Sequence, residues 1–172
     1  MAPLNQDVPL DPQRLLGIYL DDHLAVLAGG FELVRRTLGE TGDPEIRSFL
    51  EELLPELRDD REAASRVVCS LGRTPNRLKQ RLAWAGEKAG RLKLNGTLTG
   101  YSPLSRVVEL EGIGVILGAS RALWQALAHA GPAEGRDDAE RRAARAAERL
   151  AVLEKLGIAA AEVAFTGGGR RL

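Results

Sequence analysis

The sequence predicts an all-α protein, a bundle of four long helices, and three observations lead to this prediction. At four places a residue that can cap a helix is followed directly by Pro, which suits the first helical position, and then by apolar residues at helical spacing. Only 4% of the residues are aromatic, so the core would consist mainly of Leu, Val, Ile and Ala, which suits close helix packing. Two short breaks and one long break separate the long apolar runs. The capping pairs are Asp11-Pro12, Asp43-Pro44, Thr74-Pro75 and Ser102-Pro103.

The first two helices are predicted over Pro12–Leu38 and Pro44–Leu71, because apolar residues recur every three or four positions in both. Glycines follow each run and favour a helix end. Pro55 lies inside the second helix, where it removes one backbone hydrogen bond and predicts a kink. The predicted apolar seams are Leu16, Leu20, Leu24, Leu27, Phe31, Val34 and Leu38 in the first helix, and Ile46, Leu50, Leu53, Leu57, Ala64, Val68 and Leu71 in the second.

The second half of the chain follows the same scheme. A short helix is predicted over Pro75–Leu92, followed by a glycine-containing loop. The third long helix is predicted over Pro103–Ala130, and because its apolar residues point nearly all round, it should be the most buried element. The fourth is predicted over Asp137–Phe165, with residues 166–172 as a flexible tail. Its inward residues are predicted to be Ala139, Ala143, Ala146, Leu150, Leu153, Ala160 and Ala164.

The lengths of the connections predict how the helices are arranged. The breaks near residues 39–43 and 131–136 are short, so each should join antiparallel neighbours. The crossover, residues 73–102, is long enough to travel the length of the bundle and carries the short extra helix. We therefore expect one domain over residues 1–165, made of two antiparallel helical hairpins joined by a long crossover.

Composition and charge reduce the number of functions and cellular locations that the chain is expected to have. The 24 Lys and Arg balance the 24 Asp and Glu, so no overall attraction to nucleic acid or an anionic membrane is indicated. Cys69 is the only cysteine, which excludes an intramolecular disulfide and favours a reducing compartment; its apolar neighbours predict a small buried side chain. The chain shows no signal peptide and no membrane span, so a cytoplasmic location is expected.

Two stretches, Tyr19-Leu-Asp-Asp-His-Leu24 and Ser102-Pro-Leu-Ser-Arg-Val-Val-Glu-Leu-Glu111, together with the hairpin–crossover–hairpin order, resemble the ferritin-like superfamily. They are similar to uncharacterised actinobacterial members of that type. The resemblance implies a four-helix bundle, and in metal-binding members it implies two Glu-x-x-His pairs that share a helix face. This chain contains no Glu-x-x-His. We therefore expect a bundle without the standard di-iron centre, without a cofactor and without catalytic residues.

Polar residues on predicted apolar faces are the candidate site. His23 and Asp60 border the seams of the first two helices, and Arg61 lies beside Asp60. Glu111 is predicted to point into one inward arc of the third helix. A buried carboxylate is costly unless it is paired, so these four residues are interpreted as a buried polar network, in which Arg61, His23 or a serine hydroxyl satisfies Asp60 and Glu111. The alternative is a reduced metal or small-molecule site made of His23, Asp60 and Glu111. The predicted inward arc of the third helix, which Glu111 shares, consists of Leu104, Val108, Val115, Ala122 and Ala126.

The crossover has the only clear charge bias in the chain. Its basic residues surround Trp84 and could bind phosphate or nucleic acid, although the acidic second helix can neutralise them, so nucleic acid is the weaker alternative. The expected function is thus non-catalytic, a binding or structural role, with homodimerisation through helix faces. Leu33 and Trp124 fall off the seams and are expected to form an exposed apolar patch. The basic residues of the crossover that could bind an anion are Arg77, Lys79, Arg81, Lys88 and Arg91.

Overall fold

The computed structural model describes residues 11–74 and 102–167, and in these two ranges the chain is helical, without strands. Four long helices follow one another, and a 3₁₀ turn, Ala133–Gly135, precedes the last of them. The prediction of an all-α chain is confirmed, with helix ends within about two residues of those expected. The predicted helix over Pro75–Leu92 lies outside the described residues. The helices are α1 Pro12–Glu40, α2 Pro44–Ser70, α3 Pro103–Ala130 and α4 Arg136–Thr166.

Three of the four capping pairs begin a described helix as expected. The Asp11 side chain accepts a hydrogen bond from the backbone N–H of Gln13, and Ser102 Oγ accepts one from Ser105. Asp43 Oδ1 accepts from two backbone N–H groups of the first turn of α2. Each cap satisfies a donor that the helix itself leaves unpaired, which explains why these helices begin where they do. α2 continues through Pro55 without a break.

The helix directions follow from contacts between residues far apart in sequence. α1 packs against α2, and Arg73 just after α2 lies against Asp21 near the start of α1, so the two helices are antiparallel. α1 also packs against α3 in the antiparallel sense, since Arg36 near its end pairs with Glu109 near the start of α3.

The second half of the bundle closes in the same way. α3 and α4 form the most extensive helix pair, and Trp124 near the end of α3 contacts Arg142 near the start of α4. α4 in turn lies antiparallel to α2, because Arg149 contacts Glu56 whereas Arg142 contacts Asp60. Since α2 and α3 are each antiparallel to both α1 and α4, they run parallel to each other. The end of α2 and the beginning of α3 therefore lie at opposite ends of the bundle.

The predicted seams of α1, α2 and α4 form the core. Apart from the half-buried Phe31, the middle residues of the α1 and α2 seams are at most 3% exposed, because they meet the seams of neighbouring helices. None of the helices in the described part of the chain combines the length and apolar character that crossing a bilayer requires. The most deeply buried large side chains are Leu20, Leu24, Leu27, Leu50, Leu53, Leu57, Leu110, Ile113, Leu123 and Trp124.

The face of α3 that was expected to point inward lies on the surface, and this prediction is wrong. Leu104, Val108 and Val115 are 38%, 43% and 73% exposed, and Glu111 between them is exposed as well. The core side of α3 is instead lined by the residues around Leu110, Ile113 and Leu117. Trp124 is only 2% exposed and Leu33 is half-buried, so the expected surface patch of these two residues does not exist.

Candidate functional site

Asp60 on α2 is the centre of the most elaborate polar cluster in the described part of the chain. Its side chain is buried, with 4% exposure of the residue, and it accepts hydrogen bonds from side chains on two other helices. Ser120 Oγ on α3 donates to Oδ2 at 2.9 Å. On α4, Arg142 Nη1 and Arg145 Nη2 donate to Oδ1 at 2.8 and 2.7 Å. Asp60 therefore joins three helices at one point.

Arg142 is the buried cation of this cluster. Besides Asp60 it donates to Asp59 and to Asp138, both at 2.7 Å, and its guanidinium lies 5.1 Å from the ring centroid of Trp124. Burial alone would lower the pKa of Arg142, but the hydrogen bonds to Asp59, Asp138 and Asp60 outweigh it and raise that pKa. The same contact with Arg142 lowers the pKa of Asp138. Arg142 is thus held as a cation between three carboxylates and an aromatic face.

About two turns of α4 beyond Arg142, a second group of ion pairs continues the cluster. Arg149 contacts both carboxylate oxygens of Glu56, at 2.6 to 3.2 Å, and reaches Glu52 at 2.9 Å. The hydrogen bonds to Glu56, and to a smaller extent the one to Glu52, raise the pKa of Arg149. Arg145 lies between the two groups, 3.8 Å from Glu56 and from Asp59. We call the whole set the α2–α4 ion-pair ladder; it comprises Glu52, Glu56, Asp59, Asp60, Asp138, Arg142, Arg145 and Arg149.

The ladder explains how α2 and α4 are held together. The apolar seams of these two helices point mainly toward α1 and α3, and few backbone positions of α2 and α4 come close. Charged side chains with long reach bridge the remaining distance, and the bidentate contact of Arg149 with Glu56 fixes their register. Ser120, Arg142 and Arg145 all donate to Asp60, so this carboxylate ties α2 to α3 and α4.

The structure separates the other residues of the expected polar network from Asp60. Arg61 points the other way, with its guanidinium 5.7 Å from the ring centroid of Phe31 on α1. His23 packs against Tyr19 with the two rings tilted and their centroids 4.3 Å apart. Its Nδ1 is buried and has no hydrogen-bond partner among the residues that the structure describes. Burial lowers the pKa of His23 by more than the charge of Asp22 raises it.

Glu111 does not enter the core, so its predicted burial and pairing with the network are wrong. The buried carboxylate of α3 is Glu109, which is 8% exposed and accepts a hydrogen bond from Arg36 Nη2 at 3.1 Å. The two glutamates are two positions apart, which on a helix places them about 200° apart in direction. The error follows from assigning the wrong side of α3 to the core.

The alternative metal site is not assembled. Glu111 lies on the outer face of α3, Asp60 is enclosed by Ser120 and two arginines, and His23 rests on Tyr19. Within residues 11–74 and 102–167, no group of three His, Cys, Asp or Glu side chains has the arrangement of a metal site. Cys69 is exposed rather than buried as predicted. The proposed anion-binding residues Arg77, Lys79, Arg81, Lys88 and Arg91 lie outside the described residues.

The arginines of α4 were missed by sequence reasoning, although a signal was present. Arg142, Arg145 and Arg149 recur at three- and four-residue spacing, and Glu52, Glu56 and Asp59 recur in the same way on α2. Two complementary charge stripes at helical spacing favour ion pairing between antiparallel helices. The identity of the partners depends on the packing, since Arg142 and Asp60 are 82 positions apart.

No protein-family profile, curated protein or solved structure matches this chain.

Proposed function

We propose that this protein is a non-catalytic four-helix bundle of the ferritin-like type, which acts as a dimeric binding or structural module. The helix directions support the ferritin-like part of the proposal, because α2 and α3 run parallel and are joined by a long crossover. The polar side chains around Asp60 are engaged with one another, which supports a structural role for them. The observation that carries the dimer is the exposed apolar face of α3.

This face has the spacing of a helix–helix interface. Six outer positions follow one another at alternating intervals of four and three residues, which is the spacing of a coiled-coil seam. Three of them are large apolar residues that are 38% to 73% exposed in the monomer. Burying these side chains in an interface would be favourable. We call these positions the α3 stripe; they are Leu104, Val108, Glu111, Val115, Gly118 and Ala122.

The size of the side chains changes along the α3 stripe. Its N-terminal half carries Leu104 and Val108, whereas its C-terminal half carries Gly118 and Ala122. If two copies of α3 pack antiparallel about a twofold axis at Val115, then Val108 of one copy faces Ala122 of the other. Large residues thus meet small ones in both halves, as an isologous interface requires. This self-complementarity is the reason to expect a second copy of the chain as the partner.

The twofold arrangement makes a specific demand on Val115, because this residue would face its own copy. In a Cys69→Ser background, which removes the exposed native thiol, the Val115→Cys protein should form a disulfide-linked dimer on mild oxidation. The product is a reducible species of twice the 18.6 kDa chain mass. Cα atoms must come within about 7 Å for such a bond.

Ile158→Cys in the same background is the matched control, since Ile158 on α4 is 64% exposed and Val115 is 73% exposed. Cross-linking that is fast for Val115→Cys and slow for Ile158→Cys supports the interface. A mixture of Val108→Cys and Ala122→Cys chains should cross-link to each other faster than either chain does to itself. Equal rates for all variants, or a monomer by sedimentation equilibrium at about 100 μM wild-type protein, would overturn the proposal.

A further inference from the structure

The outer surface of α3 carries two charged side chains of opposite sign. Of the acidic and basic residues on this helix, Arg106 is half-buried and Glu109 is buried. Glu111 and Arg121 are exposed, and neither forms an ion pair within residues 11–74 and 102–167. In the monomer these two charges are therefore both available to a partner.

Both exposed charges are displaced from the middle of the α3 stripe toward the side of α3 that packs on α4. Gly114 marks this side, since a Cβ there would lie 3.6 Å from Leu153 Cδ2 of α4. Arg121 follows Gly114 by about two helical turns, so it points in nearly the same direction. At about 100° per residue, Glu111 is displaced from Val115 by about 40° toward Gly114. The two charges thus lie along the same edge of the α3 stripe.

A twofold axis at Val115 brings the negative charge of one copy close to the positive charge of the other. In the antiparallel arrangement described above, Glu111 of one copy lies opposite Ala119 of the second copy. Arg121 of the second copy is two residues beyond Ala119, which is about 3 Å along the helix. The twofold axis also keeps the α4 sides of both copies at the same edge of the interface. Glu111 therefore leans toward the edge on which Arg121 of the second copy lies, and symmetry repeats this contact.

From this placement we propose that Glu111 and Arg121 form two reciprocal ion pairs across the dimer and thereby select an antiparallel second copy as the partner of the α3 stripe. This inference rests on the dimer proposed above. In a parallel pairing Glu111 would face Glu111 and Arg121 would face Arg121, so like charges would repel at two places. An exposed ion pair adds little affinity, whereas like charges at the same positions oppose association. The two residues thus determine the direction of pairing more than its strength.

Charge reversal tests the pairing, with the dissociation constant of the dimer measured by sedimentation equilibrium in about 50 mM NaCl, where screening is weak. Glu111→Arg and Arg121→Glu each create two like-charge contacts, so each should raise this constant at least about tenfold. The double variant Glu111→Arg/Arg121→Glu exchanges the two charges and should return the constant to within about threefold of the wild-type value. A mixture of the two single variants should form a heterodimer more tightly than either variant pairs with itself.

Glu148→Arg on α4 and Arg66→Glu on α2 are the matched controls, because they make the same changes of charge at exposed positions outside the α3 stripe. Both should leave the dissociation constant unchanged, and circular dichroism checks that every variant is folded. A monomeric wild-type protein would overturn the dimer and the ion pairs with it. A dimeric wild type whose single variants associate as tightly as the wild type, or whose double variant is as weak as the single ones, would overturn the ion pairs alone.

Discussion

Arg142 on α4 donates a hydrogen bond to Asp60 on α2 at 2.8 Å, while the same guanidinium lies over the ring of Trp124 on α3. Both charged residues are buried, at 8% and 4% exposure. The pair therefore connects two helices whose backbones come close at only a few positions. Its loss should affect the whole fold rather than a local surface.

Asp60→Ala should lower the free energy of unfolding by about 2–4 kcal/mol, because it leaves Arg142 and Arg145 without their shared buried acceptor. Asp60→Asn should cost less, since one acceptor oxygen remains. Urea denaturation followed by circular dichroism measures the change. Ser120→Ala removes only one neutral donor and should cost about 1 kcal/mol. A loss below 1 kcal/mol for Asp60→Ala would contradict the role given to the ladder.

Replacement by alanine should destabilise the protein at Glu109 but have little effect at Glu111. Glu109→Ala removes the acceptor of Arg36 at a site that is 8% exposed, and it should destabilise the protein by about 1–2 kcal/mol. Glu111→Ala changes an exposed side chain and should alter stability by no more than about 0.5 kcal/mol. Thermal unfolding of the Glu109→Ala and Glu111→Ala proteins under the same conditions measures the two changes in stability. A larger loss at Glu111 would show that α3 is rotated relative to the structure described above.

Two helical glycines should differ because their surroundings differ. A Cβ on Gly30 of α1 would overlap Ile116 Cγ2 of α3, whereas a Cβ on Gly157 of α4 would meet nothing within 4 Å. Gly30→Ala should therefore destabilise the bundle by about 1–3 kcal/mol through overpacking. Gly157→Ala should stabilise it by about 0.5–1 kcal/mol, because alanine is the better helix former. Midpoints of urea unfolding measure both, and a gain for Gly30→Ala would argue against the close approach of α1 and α3.

The lowered pKa of His23 predicts a dependence of stability on pH. Above about pH 7.5 the imidazole is almost entirely neutral in both the folded and unfolded chains, so it contributes almost no slope. As the pH falls through about 6.5, the unfolded chain takes up a proton that folded His23 resists, and the wild-type protein loses stability. His23→Gln lacks this group. Wild type should therefore lose more free energy of unfolding than His23→Gln between about pH 7.5 and 5.5, and equal losses would refute the effect.

The sequence by itself determined the number, order and ends of the described helices. Asp11, Asp43 and Ser102 cap the helices as predicted, because a cap depends on a side chain and a backbone N–H only two or three residues away. The seams of α1, α2 and α4 could also be predicted, since each of these helices has one apolar side and one charged side. Periodicity is sufficient where the contrast between the two sides is strong.

Only the tertiary structure decided which side of α3 faces the core and which residues pair with Asp60. α3 is apolar on nearly all sides, so its periodicity carries little information about direction, and the choice between Glu109 and Glu111 depends on where α1 and α4 pack. The partners of Asp60 lie 60 to 85 positions away in sequence, on α3 and α4. Their meeting depends on the register of three helices, which no local pattern contains.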